Sequence, residues 1–85
     1  MSRLYEVQWV RVDNEYLHLV VDGREYRVAL KECSPLLTAA RQSERDAFKV
    51  LGSGYGIHWP AIDEEVSVRW LLEQAEAVGQ KSAVV

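Results

Sequence analysis

An α+β domain is predicted, with an antiparallel sheet made of a three-stranded meander and a second hairpin, packed by two helices in the order β-β-β-α-β-β-α. Three observations predict it. Apolar and polar residues alternate with period two through much of residues 5–30, and the turn dipeptide Asp22-Gly23 interrupts them. The period becomes helical after Ser34-Pro35 and again from Ser67 to Val78. Between these helices, two short apolar runs flank Gly52-Ser53-Gly54, the pattern of a hairpin.

The first strand rests on Tyr5, Val7 and Trp9, which alternate with polar residues as a half-buried strand requires. Asp22-Gly23 suits a type I′ turn, which needs positive φ at both central positions. That loop sets Leu19 against Tyr26 and Leu17 against Val28 on an apolar face. It sets His18 against Arg27 and Val20 against Glu25 on a mostly polar one. A three-residue loop at Asp13-Asn14-Glu15 would bring Trp9 opposite Leu19 and Val7 opposite Val21. Ser34 is a helix cap with proline tolerated in the first turn, opening a short helix through Leu36, Leu37 and Ala40 that ends near Arg41-Gln42. Ser43 with Asp46 forms a box-like cap. Phe48–Leu51 and Tyr55–Trp59 form the second hairpin, stopped by Pro60. A last helix opens at Ser67, carries Val68, Leu71, Leu72, Ala75 and Val78 on one face, and ends at Gly79. Residues 1–78 are expected to be one domain and 79–85 a flexible tail.

The chain has 85 residues, 13 acidic and 10 basic, for a net charge of -3. That length leaves no room for a second domain, and a domain so small commits most apolar residues to its core, which argues against a deep substrate cleft. Residues 1–50 hold eight basic and eight acidic groups, whereas 51–85 hold two and five. The acidic balance argues against nucleic acid. The absence of a long apolar run or signal-peptide core argues for a cytoplasmic protein. Cys33 has no disulfide partner, and one thiol with two histidines falls short of the usual zinc ligand set, so no metal or cofactor is implied.

Some residues are left over for function. At 100° per residue, Trp70 lies about 200° from Val68 on the last helix, away from the apolar face, with Ala77 beside it. An outward tryptophan suits an interface or a homodimer contact, or else it folds over a neighbouring loop or the C-terminal tail. Asp63-Glu64-Glu65 reads as a solvated loop before the helix, or as a docking point for a basic partner. Alternation puts Tyr55, Ile57 and Trp59 on a core face and Gly56 and His58 on the other. His58 with Asp63 or Glu64 is the one candidate acid-base pair, although such a pair is also an ordinary way to satisfy a half-buried imidazole. Cys33, beside the Ser34 helix start, is either a thiol activated by the helix or an inert side chain. His18 reads as a surface residue beside Arg27. Arg11, Arg24 and Arg27 form only a modest basic patch, interleaved with Glu6 and Glu25.

The run Gly54-Tyr55-Gly56-Ile57-His58-Trp59-Pro60, continued through Asp63-Glu64-Glu65 to Val68 and followed by Leu71-Leu72, resembles the C-terminal signature of a bacterial family, domain of unknown function 2442. The Leu17–Val28 hairpin and the Ser34-Pro35-Leu36-Leu37 step resemble it too. The resemblance implies a compact α+β domain, usually encoded alone and often beside a small protein of the 4160 unknown-function family, in a toxin-antitoxin-like arrangement. It supplies no catalytic residue, so Tyr55, Gly56, His58, Trp59 and Pro60 are structural by default. Many relatives have a glycine or another small residue at the position of Trp70. The expectation is a non-enzymatic protein-interaction module, the antitoxin-like member of a two-gene pair, binding a small protein through Trp70, Asp63, Glu64 and Glu65. The alternatives are a small enzyme built on His58 and a DNA-binding transcriptional regulator.

Overall fold

The computed structural model describes residues 5–78. Strands β1 (Val7–Val12), β2 (Tyr16–Val21) and β3 (Arg24–Ala29) form the expected meander. Three short helices follow: α1 (Leu30–Cys33), α2 (Pro35–Ala39) and α3 (Gln42–Asp46). Strands β4 (Lys49–Leu51) and β5 (Gly56–Trp59) make the second hairpin. A 3₁₀ turn at Pro60–Ile62, β6 (Glu64–Ser67), α4 (Val68–Gln74) and β7 (Glu76–Val78) complete the chain. The strands form two antiparallel sheets, a large one ordered β1-β2-β3-β7 and a small one ordered β4-β5-β6. Among the described residues no helix is long and apolar enough to cross a membrane.

The β2–β3 register matches the turn chemistry, pairing Leu19 with Tyr26, Leu17 with Val28, His18 with Arg27 and Val20 with Glu25. Asp22 and Gly23 both have positive φ, as a type I′ loop requires. The β1–β2 pairing departs from expectation. Val7 faces Val21 as predicted, but the register slips by one before Trp9, which faces Val20 instead of Leu19. A bulge of one residue flips the side chains that follow it. Tyr5 and Val7 pack inward before it and Val10 and Val12 after it, leaving Trp9 45% exposed.

The core is one cluster. Leu17, Leu19, Val21 and Val28 of the large sheet meet Ile57 and Trp59 of the small sheet, Leu37 of α2, and Val68 and Leu71 of α4. Ser34 caps α2 as expected, its Oγ accepting from Leu37 N at 3.1 Å, and Ser67 Oγ accepts from Trp70 N at 3.1 Å to start α4. The expected Ser43/Asp46 cap does not form. Glu44 accepts instead from Arg41 N at 2.9 Å, one turn boundary earlier, and Asp46 accepts from the Gln42 side chain. Arg45 is only 8% exposed. Its guanidinium donates to the carbonyls of Leu37 and Thr38, each at 3.0 Å, and to Gln42 Oε1 at 3.2 Å. It thereby supplies a donor to the Thr38 carbonyl at the end of α2 and a second one to the Leu37 carbonyl, which also accepts from Ala40 N at 3.2 Å. Its own carbonyl accepts from the buried Trp59 Nε1 at 3.0 Å.

The last helix is shorter than predicted. It stops at Gln74, and Val78, read as part of its apolar face, pairs with Glu25 on the edge of β3, as Ala77 pairs with Tyr26. An unpaired edge of the large sheet competes successfully with the helical preference of this segment. Trp70 does not point outward as its helical angle suggests: it is half-buried and packs against the core. The reason is that α4 touches β3 of the large sheet as well as β5 and β6 of the small one, so more than one stripe of the helix is covered. The expected tail, 79–85, lies outside the described residues.

Candidate functional site

The outer face of the small sheet is built by alternation along β5 and β6. Ile57 and Trp59 point into the core, which leaves Gly56 and His58 on the opposite face, as predicted. The cross-strand register then aligns Lys49, His58 and Glu65 in one row, and Leu51, Gly56 and Ser67 in the next. Tyr55 is the exception among the expected core residues. It belongs to the turn before β5 and is 48% exposed.

Beside Gly56, a depression of about 440 Å³ is lined by Tyr5, Tyr55, Glu65, Ser67 and Arg69. Two glycines shape its walls, one against a ring and one against a backbone. Gly52 has φ +50°, and a Cβ there would lie 2.8 Å from the Tyr55 ring, so the ring rests where only glycine leaves space. Gly54 has φ +86°, and a Cβ there would lie 2.1 Å from the Tyr5 carbonyl oxygen. The close approach lets Tyr5 N donate to Ser53 O at 3.2 Å, which ties the chain ahead of β1 to the β4–β5 turn. At the other side Tyr55 O accepts from Val68 N at 2.9 Å, joining the turn to the start of α4.

The three consecutive acids read as a solvated loop go to different places, Asp63 to the end of the 3₁₀ turn and Glu64 and Glu65 to successive positions of β6. Asp63 takes the left-handed conformation that ends the 3₁₀ turn. Glu64 is turned to the Ser34 hydroxyl, which donates to its Oε2, while its Oε1 accepts from Glu65 N at 2.9 Å. Glu65 is exposed on the groove side, its Oε2 3.6 Å from where a Cβ on Gly56 would sit. Of the partner-binding set predicted from the sequence, only Glu65 lines the groove, while Glu64 and Trp70 serve the fold.

The expected pairing of His58 with the Asp63 or Glu64 carboxylate is not made. His58 Nδ1 donates to the Glu64 main-chain oxygen at 3.1 Å. A carbonyl only accepts, so Nδ1 carries the proton of this contact. Cys33 closes α1, and burial, reinforced by Glu32 and Glu64, pushes its thiol up to about 12, so it stays protonated and unreactive at neutral pH. Among the described residues no group of three or more His, Cys, Asp or Glu is placed to hold a metal ion.

His18 is no loose surface residue. Its Nε2 donates to Asp13 Oδ2 at 2.9 Å, with the His18 side chain 14% exposed, and Arg27 lies over the neighbouring Tyr16 ring. Asp13 Oδ1 also accepts from Tyr16 N at 2.7 Å and Glu15 N at 2.8 Å, closing the β1–β2 turn. Burial pushes the Asp13 carboxyl up, but the two backbone donors and His18 outweigh it and hold it at about 2. The free carboxyl titrates near 3.9, so this stabilisation is complete above that value and is lost as pH falls through about 2. Asp13→Asn should cost below about 1 kcal/mol at pH 7, because the side chain is partly screened by solvent. In denaturant titrations the gap from wild type should close below about pH 2. A gap of constant size down to that pH would assign the effect to shape alone.

A family model for proteins of unknown function matches residues 7–77, taking in both sheets and every groove residue except Tyr5. No curated protein and no solved structure matches the chain. With a match over most of its length, the chain belongs to the DUF2442 family of proteins of unknown function.

Proposed function

We propose that this domain is a non-enzymatic protein-interaction module of the cytoplasm and that it binds a small protein across the groove on the small sheet. The observation that carries this reading is Tyr55: a large side chain, 48% exposed, on a turn where Gly52 leaves room for its ring. A tyrosine has few side-chain torsions to fix and so presents much contact area at low entropic cost, which is the character of binding hot spots. The mixed rim of Glu65, Ser67 and Arg69 supplies polar contacts around it. The non-enzymatic reading draws support from the way the polar groups are used. His58 and Glu64 are engaged through different atoms, and Ser34 is occupied by a cap and by Glu64.

The family resemblance makes the product of an adjacent gene, of the 4160 type, the first partner to test, in an antitoxin-like arrangement. Co-expressed with that protein, the wild-type domain should co-purify, and Tyr55→Ala should weaken the complex by about 2 kcal/mol or more, roughly thirtyfold in Kd. Trp9→Ala, on the outer face of the large sheet, should leave it unchanged. No association at micromolar concentrations, or equal loss in both variants, would overturn the reading.

A further inference from the structure

Glu65 is the unbalanced charge of the groove. Its carboxylate has no ion-pair partner among the described residues, whereas Arg69, the groove's cation, has its Nε 3.7 Å from Glu73 Oε2. Gly56 contributes no side chain to the sheet beneath, so the Glu65 carboxylate lies along the sheet surface. Tyr5 and Tyr55 line the same depression. A carboxylate in a depression that the 48% exposed Tyr55 also lines matches a planar cation, which stacks on a ring face while donating paired hydrogen bonds to the oxygens. A guanidinium meets both demands, and an ammonium meets the first less well because it lacks the planar fork. The volume of about 440 Å³ falls within the usual range of ligand pockets.

We infer that the groove recognises an arginine side chain presented by the partner protein, with Glu65 as its counter-ion and Tyr5 and Tyr55 as its walls. This rests on the partner-binding reading of the groove, yet its chemistry is testable without the partner. Of the three consecutive acids, Glu65 alone carries the selectivity, since Glu64 is held by Ser34 and Asp63 shapes a turn.

The experiment is an NMR titration of the isotope-labelled 85-residue chain with N-acetyl-arginine methylamide, its citrulline counterpart, which is isosteric and uncharged, and its lysine counterpart. The arginine compound should shift the amides of Tyr55, Glu65, Ser67 and Arg69 saturably, with a dissociation constant on the order of 1 mM. Citrulline should bind at least about tenfold more weakly, with lysine between the two, and Glu65→Gln should reduce arginine binding by a similar factor. Glu65→Gln keeps the strand and its shape, and an unchanged amide spectrum elsewhere verifies that the variant is folded. Equal binding of arginine and citrulline, insensitivity to Glu65→Gln, or no saturable shift up to about 20 mM would each overturn the inference. If the probe fails while Tyr55→Ala still disrupts the protein complex, only the arginine assignment falls. If the probe binds while Tyr55→Ala leaves the complex intact, the partner-binding reading falls.

Discussion

Trp59→Ala should cost about 3–5 kcal/mol, a large part of the stability available to a domain of this size. Trp59 is fully buried, packs beside Phe48, and joins the small sheet to the inner face of the large one. Its truncation opens a cavity at the junction of the two sheets and removes the donor to the Arg45 carbonyl. Trp59→Phe separates the two effects. The ring contacts are largely kept, while the Arg45 carbonyl is left without its donor, at a cost of about 1–3 kcal/mol. Chemical denaturation followed by circular dichroism measures both. Equal losses in the two variants would mean that the hydrogen bond, not the packing, dominates, and a loss under about 1 kcal/mol for Trp59→Ala would contradict its place in the core.

Gly54→Ala is the second large effect, expected at about 2–4 kcal/mol. The left-handed backbone alone accounts for about 1–2 kcal/mol when a side chain is added. The rest comes from the Tyr5 carbonyl, 2.1 Å from the new Cβ, a backbone atom that moves only if the chain ahead of β1 leaves the turn. Gly23→Ala is the control. Its φ of +83° is nearly the same as the +86° of Gly54, but nothing lies within 4 Å of the added Cβ. The difference in denaturation free energy between the two variants therefore isolates the contact with Tyr5. Equal costs would show that Tyr5 is not held there, and one wall of the groove would lose its support.

Much of this architecture is written in local chemistry. Asp22-Gly23 specifies one loop, one register and one buried face, and all six β2–β3 pairs follow from it. Ser34 and Ser67 mark helix starts because their hydroxyls reach the backbone N–H three residues on. The bulge in β1 escapes such reading because two apolar sets, Tyr5/Val7 and Val10/Val12, are each compatible with alternation, and joining them takes one extra residue. Strand β6 is hard to see because its four residues include two acids and a single apolar side chain, Val66, and strand pairing there depends on a partner fixed elsewhere. The end of α4 is likewise decided by the open edge of β3, a feature distant in sequence.

The candidate site is legible in half. Period two puts Gly56 and His58 opposite Ile57 and Trp59 without any knowledge of the fold. Tyr55 breaks the same alternation because it lies in the turn, and that turn geometry depends on contacts of Gly52 and Gly54 that no local pattern reveals. Arg45 is hidden for a related reason. A charged side chain is normally exposed, and this one is buried because three acceptors from α2 and α3 converge on it.

Chemical-shift mapping on the labelled domain locates the partner contact. On addition of the adjacent-gene protein, the largest amide shifts or losses should cluster at Tyr5, Tyr55, Gly56, Glu65 and Arg69, around the groove of the small sheet. Shifts centred on Trp9, Arg11 and Val20, on the outer face of the large sheet, would contradict it.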